Sequence, residues 1–559
     1  MTPAGKSVRD ARKQVSDRAL DWVAGVTHPT GSARDRHSPR FTPGGHFAET
    51  LGLSGVTQVF MLKWVNLFHP LVIFYPTMES LTTIASFSVF LVIFLWIGAI
   101  AAKASDNTES DYLLGNRSFG KVFIGLSAGA TGNSGWIMVG AVGTAYTMGI
   151  SSLLLPIAYF LGDITFWKFF PDKINKLSLE KDSQTVPELL GSTAKKPQGK
   201  RLITFIVAAI TVVFIGAYTS GQFAAAAKTL DVFFGVNPII GTFIAAGAIL
   251  VYCVTGGLRA SIWTDVVQAF VVLFVSFGML AVALNAGGGV SAIIENLNAI
   301  DPQLTNFTAG FTPWTLLLYI VGFFFFGFGF DISQPQVLVR LLASRSPQEA
   351  KQARWVYLAY VYSTWTAMVL FGVISRTLIT TIDDPEQALP YYAMQTFNPF
   401  VVGIVLAGVF SVIASTADSQ LLVCSSALAR NIWPSFYQKM ARRYGVKYEQ
   451  AMTLIVGILA AIATLNLSTT VFSLILFGVG AVAGSIGPAM LIILIQRRTN
   501  YRALSAMMIA GLLTTIVWRV LGYSEVLYEI LPGFVVALLV HELLMHSVFQ
   551  SGNHPGASR

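Results

Sequence analysis

The sequence predicts an all-α polytopic membrane protein, and three observations carry that reading. The 559 residues are 54% hydrophobic and only 12% charged, with a mean hydropathy of +0.63, where soluble domains carry roughly 25% charged residues. The apolar residues gather in runs of about 20, the length that crosses a bilayer as a helix. The basic residues gather in every second loop between those runs. The net charge of +9 is therefore loop charge that orients the chain in a membrane and is no sign of nucleic-acid binding.

Thirteen spans are expected, near 79–102, 121–149, 151–170, 202–228, 236–254, 262–285, 312–340, 352–378, 398–428, 450–467, 470–496, 502–520 and 526–548. Lys173, Lys176, Lys181, Lys195, Lys196, Lys200 and Arg201 follow the third. Arg345, Lys351 and Arg354 follow the seventh. Lys439, Arg442, Arg443 and Lys447 follow the ninth, and Arg497, Arg498 and Arg502 the eleventh. The loops 286–311 and 379–397 carry acids (Glu295, Asp301, Asp383, Asp384, Glu386) but no Lys or Arg. This parity starts the first span outside and leaves the C-terminus in the cytoplasm.

Residues 1–77 break the parity, because Lys6, Arg9, Arg12, Lys13, Arg18, Arg34, Arg36 and Arg40 would lie outside. Either a fourteenth span runs near 57–76, or translation begins at Met78 and the leader is a mis-assigned start. The second is preferred, since 57–76 contains Lys63, His69, Pro70 and Pro76. Residues 1–50 are polar, dotted with Gly and Pro, and expected to be disordered. They lack the pattern of a signal peptide.

Two spans are interrupted. Ala130-Thr131-Gly132-Asn133-Ser134-Gly135-Trp136 sits inside the second, and Gly327-Phe328-Gly329-Phe330-Asp331-Ile332-Ser333-Gln334-Pro335 inside the seventh. Gly weakens helix interiors, and Thr, Asn and Ser compete for backbone hydrogen bonds. At membrane depth an opened backbone is tolerated only where it lines a protein cavity. Two broken spans in corresponding halves of one chain point to the binding site of a secondary transporter.

Other chemistry is poorly supported. Cys253 and Cys424 lie in separate spans and read as packed free thiols. His541 and His546 are at i and i+5, poor geometry for a shared metal. A membrane enzyme would need a nucleotide loop, a metal cluster or a nucleophile elbow, and none is visible. A transporter-like sensor would carry a signalling domain, whereas about ten residues follow the last span.

Several blocks occur in a fixed order: Asp111-Tyr112-Leu113-Leu114-Gly115-Asn116-Arg117-Ser118, Leu126 to Ala130, Ser134-Gly135-Trp136, Gly256-Gly257 with Trp263 to Gln268, Gln334-Pro335, Gly478 to Ala481 with Gly487-Pro488, and Tyr528 to Phe534. The longest is Ser415-Thr416-Ala417-Asp418-Ser419-Gln420-Leu421-Leu422-Val423-Cys424-Ser425-Ser426. On these blocks the chain resembles the sodium:solute symporters, nearest the sodium/proline symporter branch, from about Met78 to Val540.

The resemblance implies an inverted 5+5 helix repeat, with residues 120–285 and 312–496 as the two repeats, 78–102 a peripheral helix, and 502–559 peripheral helices with a short tail. It implies a sodium ion held by the carbonyls of Ala130, Asn133 and Val412 and the hydroxyls of Ser415 and Thr416. The alternative for both hydroxyls is a bond back to the preceding turn. Asp418 would tune that site or pin its helix to a neighbour. The solute, proline or another amino acid or amine-bearing osmolyte, would meet Gly132, Ser134, Gly135, Trp136, Tyr218, Phe328, Asp331, Gln334 and Pro335.

The chain also departs from its relatives. Gly132 stands where the proline branch typically has an aspartate, and Asp331 where an aromatic residue is common. The expectation is that the carboxylate has moved between the two breaks, to face sodium or a substrate ammonium; the alternative is a protonated, structural acid. Asp163 is a further departure, facing either a polar cavity or the outer half of its span. Arg117 and Asp265 are expected at the membrane border, organising an inner gate, with a plain interfacial anchor equally open for Arg117. Proton coupling is the rival to sodium coupling. The implied setting is the inner or plasma membrane, with solute, sodium and lipid as partners, no nucleic acid and no obligate protein partner.

Overall fold

The computed structural model describes residues 78–106, 108–308, 310–465, 471–525 and 527–552. The leader 1–77 and the alternative span at 57–76 lie outside the described residues. The helices are α1 (Met78–Lys103), α2 (Lys121–Gly135), α3 (Ala141–Met148), α4 (Leu154–Phe169), α5 (Pro171–Lys181), α6 (Pro197–Ile210) and α7 (Gly216–Phe234). They continue with α8 (Pro238–Ala286), α9 (Pro313–Ser333), α10 (Pro335–Leu342), α11 (Pro347–Leu378) and α12 (Pro399–Ser426), then α13 (Val446–Thr464), α14 (Val471–Leu494), α15 (Tyr501–Val520) and α16 (Ile530–Gly552). Short helices such as Val186–Gly191 and Pro434–Tyr444 lie in the connections. The described residues contain no strand beyond one isolated bridge, Phe119 to Ser344.

Ten helices among the described residues are long and apolar enough to cross a membrane. Two of these, Lys121–Phe169 and Pro238–Ala286, run 49 residues each, about twice what one crossing needs. Each bends at a glycine with positive φ, Gly149 and Gly257. Gly257 (φ 55°, ψ −149°) leaves no linker where residues 255–261 read as a loop. A Cβ there would lie 2.5 Å from the Tyr112 carbonyl oxygen, so both conformation and space require glycine.

Helix starts are written plainly in the chain. Asn237-Pro238, Thr312-Pro313, Ser346-Pro347 and Asn398-Pro399 each put a capping side chain before a proline at the first helical position. The caps accept backbone N–H groups at 2.9, 3.3, 3.2 and 3.1 Å. Proline lacks a donor where none is needed, and the cap satisfies one of the orphans left by the first turn.

Packing separates inner from outer helices. From Val405 to Ser426 every residue of α12 is buried, as is α2 from Ile124 to Thr131. By contrast α1 and α8 expose Val89, Val92, Trp96, Phe270 and Phe274. An apolar outer surface is stable against lipid rather than water. The two opened segments and α12 therefore sit in the protein interior, where irregular backbone is tolerated.

Candidate functional site

The first break is sharp and local. Ser134 adopts φ 50°, ψ 173° inside α2, and a π turn follows over Trp136–Gly140. A non-glycine residue at positive φ costs roughly 1–3 kcal/mol and persists only where its surroundings enforce it. Here they do: the Ser134 hydroxyl accepts the Trp136 N–H at 3.1 Å, and the Gln222 amide oxygen on α7 accepts the Gly135 N–H at 3.0 Å. The second break is a single residue: Gln334 (φ −72°, ψ 112°) separates α9 from α10, which restarts at Pro335.

Facing the first break, α12 presents two adjacent hydroxyls. Ser415 Oγ donates to the Ala130 carbonyl at 3.1 Å, and Thr416 Oγ1 to the Thr131 carbonyl at 3.0 Å. Both also lie within range of the Val412 carbonyl, at 3.3 and 3.0 Å. The back-bonding arrangement and the cross-helix arrangement are thus present together. Five neutral oxygens (carbonyls of Ala130, Thr131 and Val412; hydroxyls of Ser415 and Thr416) form one connected cluster between two helices, all from buried residues.

Next to that cluster, through Thr131 and Ser419, lies a buried ionic core. Arg340 of α10 is 0% exposed. Its guanidinium reaches Asp265 Oδ2 at 3.2 Å, Ser261 Oγ at 2.7 Å, Ser127 Oγ at 3.1 Å, the Gln336 carbonyl at 2.9 Å, and Ser419. Ser127 donates to Asp265 at 2.6 Å, and Ser261 and Ser419 donate to Asp418 Oδ1 at 3.0 and 2.9 Å. Four helices, α2, α8, α10 and α12, are tied through one guanidinium fork, a geometry lysine cannot match.

A profile of the sodium:solute symporter family matches residues 112–511. The chain belongs to the sodium:solute symporter family. Among its relatives, the osmoregulated proline transporter OpuE of Bacillus subtilis (strain 168) is 26% identical over 468 residues, covering 82% of this chain and 94% of the relative. The sodium/proline symporter of Escherichia coli (strain K12) is 27% identical, covering 83% and 93%. A solved Na+-coupled sialic acid symporter, in a substrate-bound outward-open state, superposes with a TM-score of 0.71 at 18% identity, covering 83% of this chain and 98% of that one. It shares the fold.

The predicted residues of this symporter fare unequally. Ala130, Val412, Ser415 and Thr416 meet, as described. Asn133 is held elsewhere: its side-chain amide donates to Thr364 at 2.9 Å, and the carbonyl facing Thr416 is that of Thr131. Ser134 and Tyr218 are adjacent, and Trp136 packs edge-on against Trp365 at 5.3 Å. Gly135 packs against Ile413 and Ala225, where a Cβ would sit 3.1 and 3.3 Å away, so it seals a helix contact rather than lining a cavity.

Phe328 requires correction. Its ring packs on Phe170, Phe324 and Phe534. Phe330 instead comes 3.7 Å from a Cβ built on Gly132. Two helical positions separate opposite faces, so a small error of register exchanged the two rings. Gln334 is fully buried and turns its amide toward Ser333 and the Val479 carbonyl, both at 3.4 Å. Pro335 borders a small cavity with Tyr112, Thr185, Leu258, Val339 and Leu422.

Asp265 is fully buried on Arg340, a partner that sequence reasoning passed over. The signal was available, because an arginine five residues after a helix-breaking proline, inside an apolar run, demands a buried acid. Asp418 bonds Ser261 and Ser419, which supports the pinning role over direct ion contact. Arg117 binds Ser178 Oγ at 2.8 Å, the Ser183 carbonyl at 2.9 Å and the Leu342 carbonyl at 3.1 Å. It clamps the connection after α4 onto the end of α10. Asp163 faces the interior, beside Asp331.

Proposed function

We propose that this protein is a sodium-coupled secondary active symporter that imports a small amino acid, proline foremost, by alternating access. The observation that carries the proposal is the five-oxygen cluster where opened α2 meets α12. Sodium is a hard cation that takes several oxygen ligands, and a set of neutral carbonyls and hydroxyls suits a monovalent ion. The proline transporters among the relatives support the solute class. Asp331, Trp136, Tyr218 and Gln334 would border the solute.

The chemistry of coupling follows from two hydroxyl protons. Ser415 and Thr416 now donate those protons to carbonyls of α2 and α12. An ion within that cluster needs the same oxygens to turn lone pairs inward, so sodium replaces two hydrogen bonds with a coordinated bridge between α2 and α12. Sodium thereby stabilises the opened segment against which the solute docks. Each ligand then raises the affinity for the other by the same factor.

In this reading the two 49-residue helices each cross twice, which makes thirteen crossings with the shorter apolar helix 530–546. Residues 120–285 and 312–496 form the two repeats, and the C-terminus is cytoplasmic. The test is uptake of radiolabelled proline into proteoliposomes, with competing amino acids. An inward sodium gradient should drive accumulation that choline abolishes. Accumulation that persists in choline and tracks pH would transfer the coupling to protons; no accumulation with either ion would remove the transport assignment.

A further inference from the structure

Asp163 on α4 and Asp331 on α9 are each 0% exposed, and both meet the same hydroxyl, Tyr357 Oη. Their meeting depends on a close helix contact. A Cβ on Gly327 would lie 2.4 Å from the Tyr159 carbonyl and 2.9 Å from Asp163 Oδ1. Small residues at such crossings let membrane helices approach.

The hydrogen bonds around the pair do not balance. Tyr357 Oη contacts Asp331 Oδ1 at 3.2 Å and Asp163 Oδ2 at 3.4 Å, with one proton to give. Tyr362 Oη donates to Asp163 Oδ2 at 2.9 Å. Asp163 Oδ1 and Asp331 Oδ2 are buried and have no partner. The indole N–H of Trp167, also fully buried, lies on the Asp331 side with its ring stacked on Tyr357 at 4.2 Å. No Lys, Arg or His among the described residues forms an ion pair or hydrogen bond with either acid. The titratable groups facing the pair are Tyr159 on α4 and Tyr357 and Tyr362 on α11, with Tyr218 and Tyr528 beyond Tyr159. All are neutral donors at ordinary pH.

Two uncompensated carboxylates cannot both ionise at such separation. One proton held by the pair leaves it a single negative charge. We infer that Asp163 and Asp331 form a proton-binding site one side chain away from the first break, loaded from water and emptied to water as α4, α9 and α11 part. Tyr357 links it to that break, since its hydroxyl lies 3.5 Å from a Cβ built on Gly132. Its effect on transport rests on the symporter reading above; its existence does not. Because the proton holds the closed packing together, raising the pH past its release opposes closure and slows uptake.

The test has two arms. Infrared spectra of the purified protein, without solute, should show a protonated buried carboxyl band at neutral pH that vanishes in both Asp163→Asn and Asp331→Asn. Each variant is isosteric and keeps one negative charge with an amide in place of the shared proton, so either one that folds suffices. In the second arm, proline uptake under a fixed sodium gradient should fall by up to tenfold per pH unit on the alkaline limb. Asp163→Asn should flatten that limb. A wild-type spectrum lacking the band, or a band unchanged in both variants, overturns the inference whether or not the vesicles transport. A band that behaves as expected in vesicles that take up nothing supports the site and counts against the symporter reading alone.

Discussion

Replacing Arg340 with methionine is expected to destabilise the protein by about 3–5 kcal/mol, the usual consequence of leaving a buried acid without its partner. The guanidinium is the only cation bonded to Asp265 among the described residues, and one Asp265 oxygen already lacks a partner. Its removal also takes a donor from Ser127, Ser261 and Ser419, the contacts that hold α2, α8 and α12 against α10. The check is the thermal midpoint of the detergent-solubilised protein, followed by size-exclusion fluorescence. Arg340→Met should lower it sharply, and Arg340→Lys should fall between, because an ammonium keeps the charge but loses the fork. Adding Asp265→Asn to Arg340→Met should recover part of the loss. An unchanged midpoint in Arg340→Met would show that this core carries no net weight.

The second large effect is expected at Gly132, where the proline branch typically has an aspartate. A Cβ at this position comes no nearer than 3.5 Å to Tyr357 Oη and 3.7 Å to Phe330 Cε1, both ordinary contacts. The backbone therefore accepts a side chain, and any penalty must be electrostatic. Gly132→Asp would bring a third carboxyl to the single hydroxyl already shared by Asp163 and Asp331. Uptake should fall on the order of a hundredfold, a penalty of about 2.7 kcal/mol. Asp331→Asn in the same chain should restore much of it, by returning the local charge to its starting value. Full activity in Gly132→Asp alone would show that the acids at 132 and 331 are not alternatives.

Much of the architecture was legible because hydrocarbon imposes blunt rules. Apolar runs of spanning length, loop charge and Asn/Ser/Thr–Pro caps each act locally, so each could be read without knowing its neighbours. The Ser-Thr pair of α12 was legible only through the family resemblance, because a bond back to the preceding turn is the ordinary use of such hydroxyls. What escaped was pairwise. Arg340 and Asp265 are 75 positions apart, and nothing local says that they meet. Gln222 satisfies the Gly135 N–H from 87 positions away. Phe328 and Phe330 differ only in the face of α9 they occupy, and an aromatic run offers no contrast to set that face. Asp163 remained ambiguous until α4 and α9 were seen to touch.

The central claim is that a cation sits where opened α2 meets α12, and equilibrium binding of radioactive sodium to the purified protein tests it without any transport step. The wild type should bind saturably. Ser415→Ala with Thr416→Val, which removes two oxygens and little volume, should weaken binding by about tenfold or more. Binding indistinguishable from wild type in that double variant would place the ion elsewhere and contradict the account.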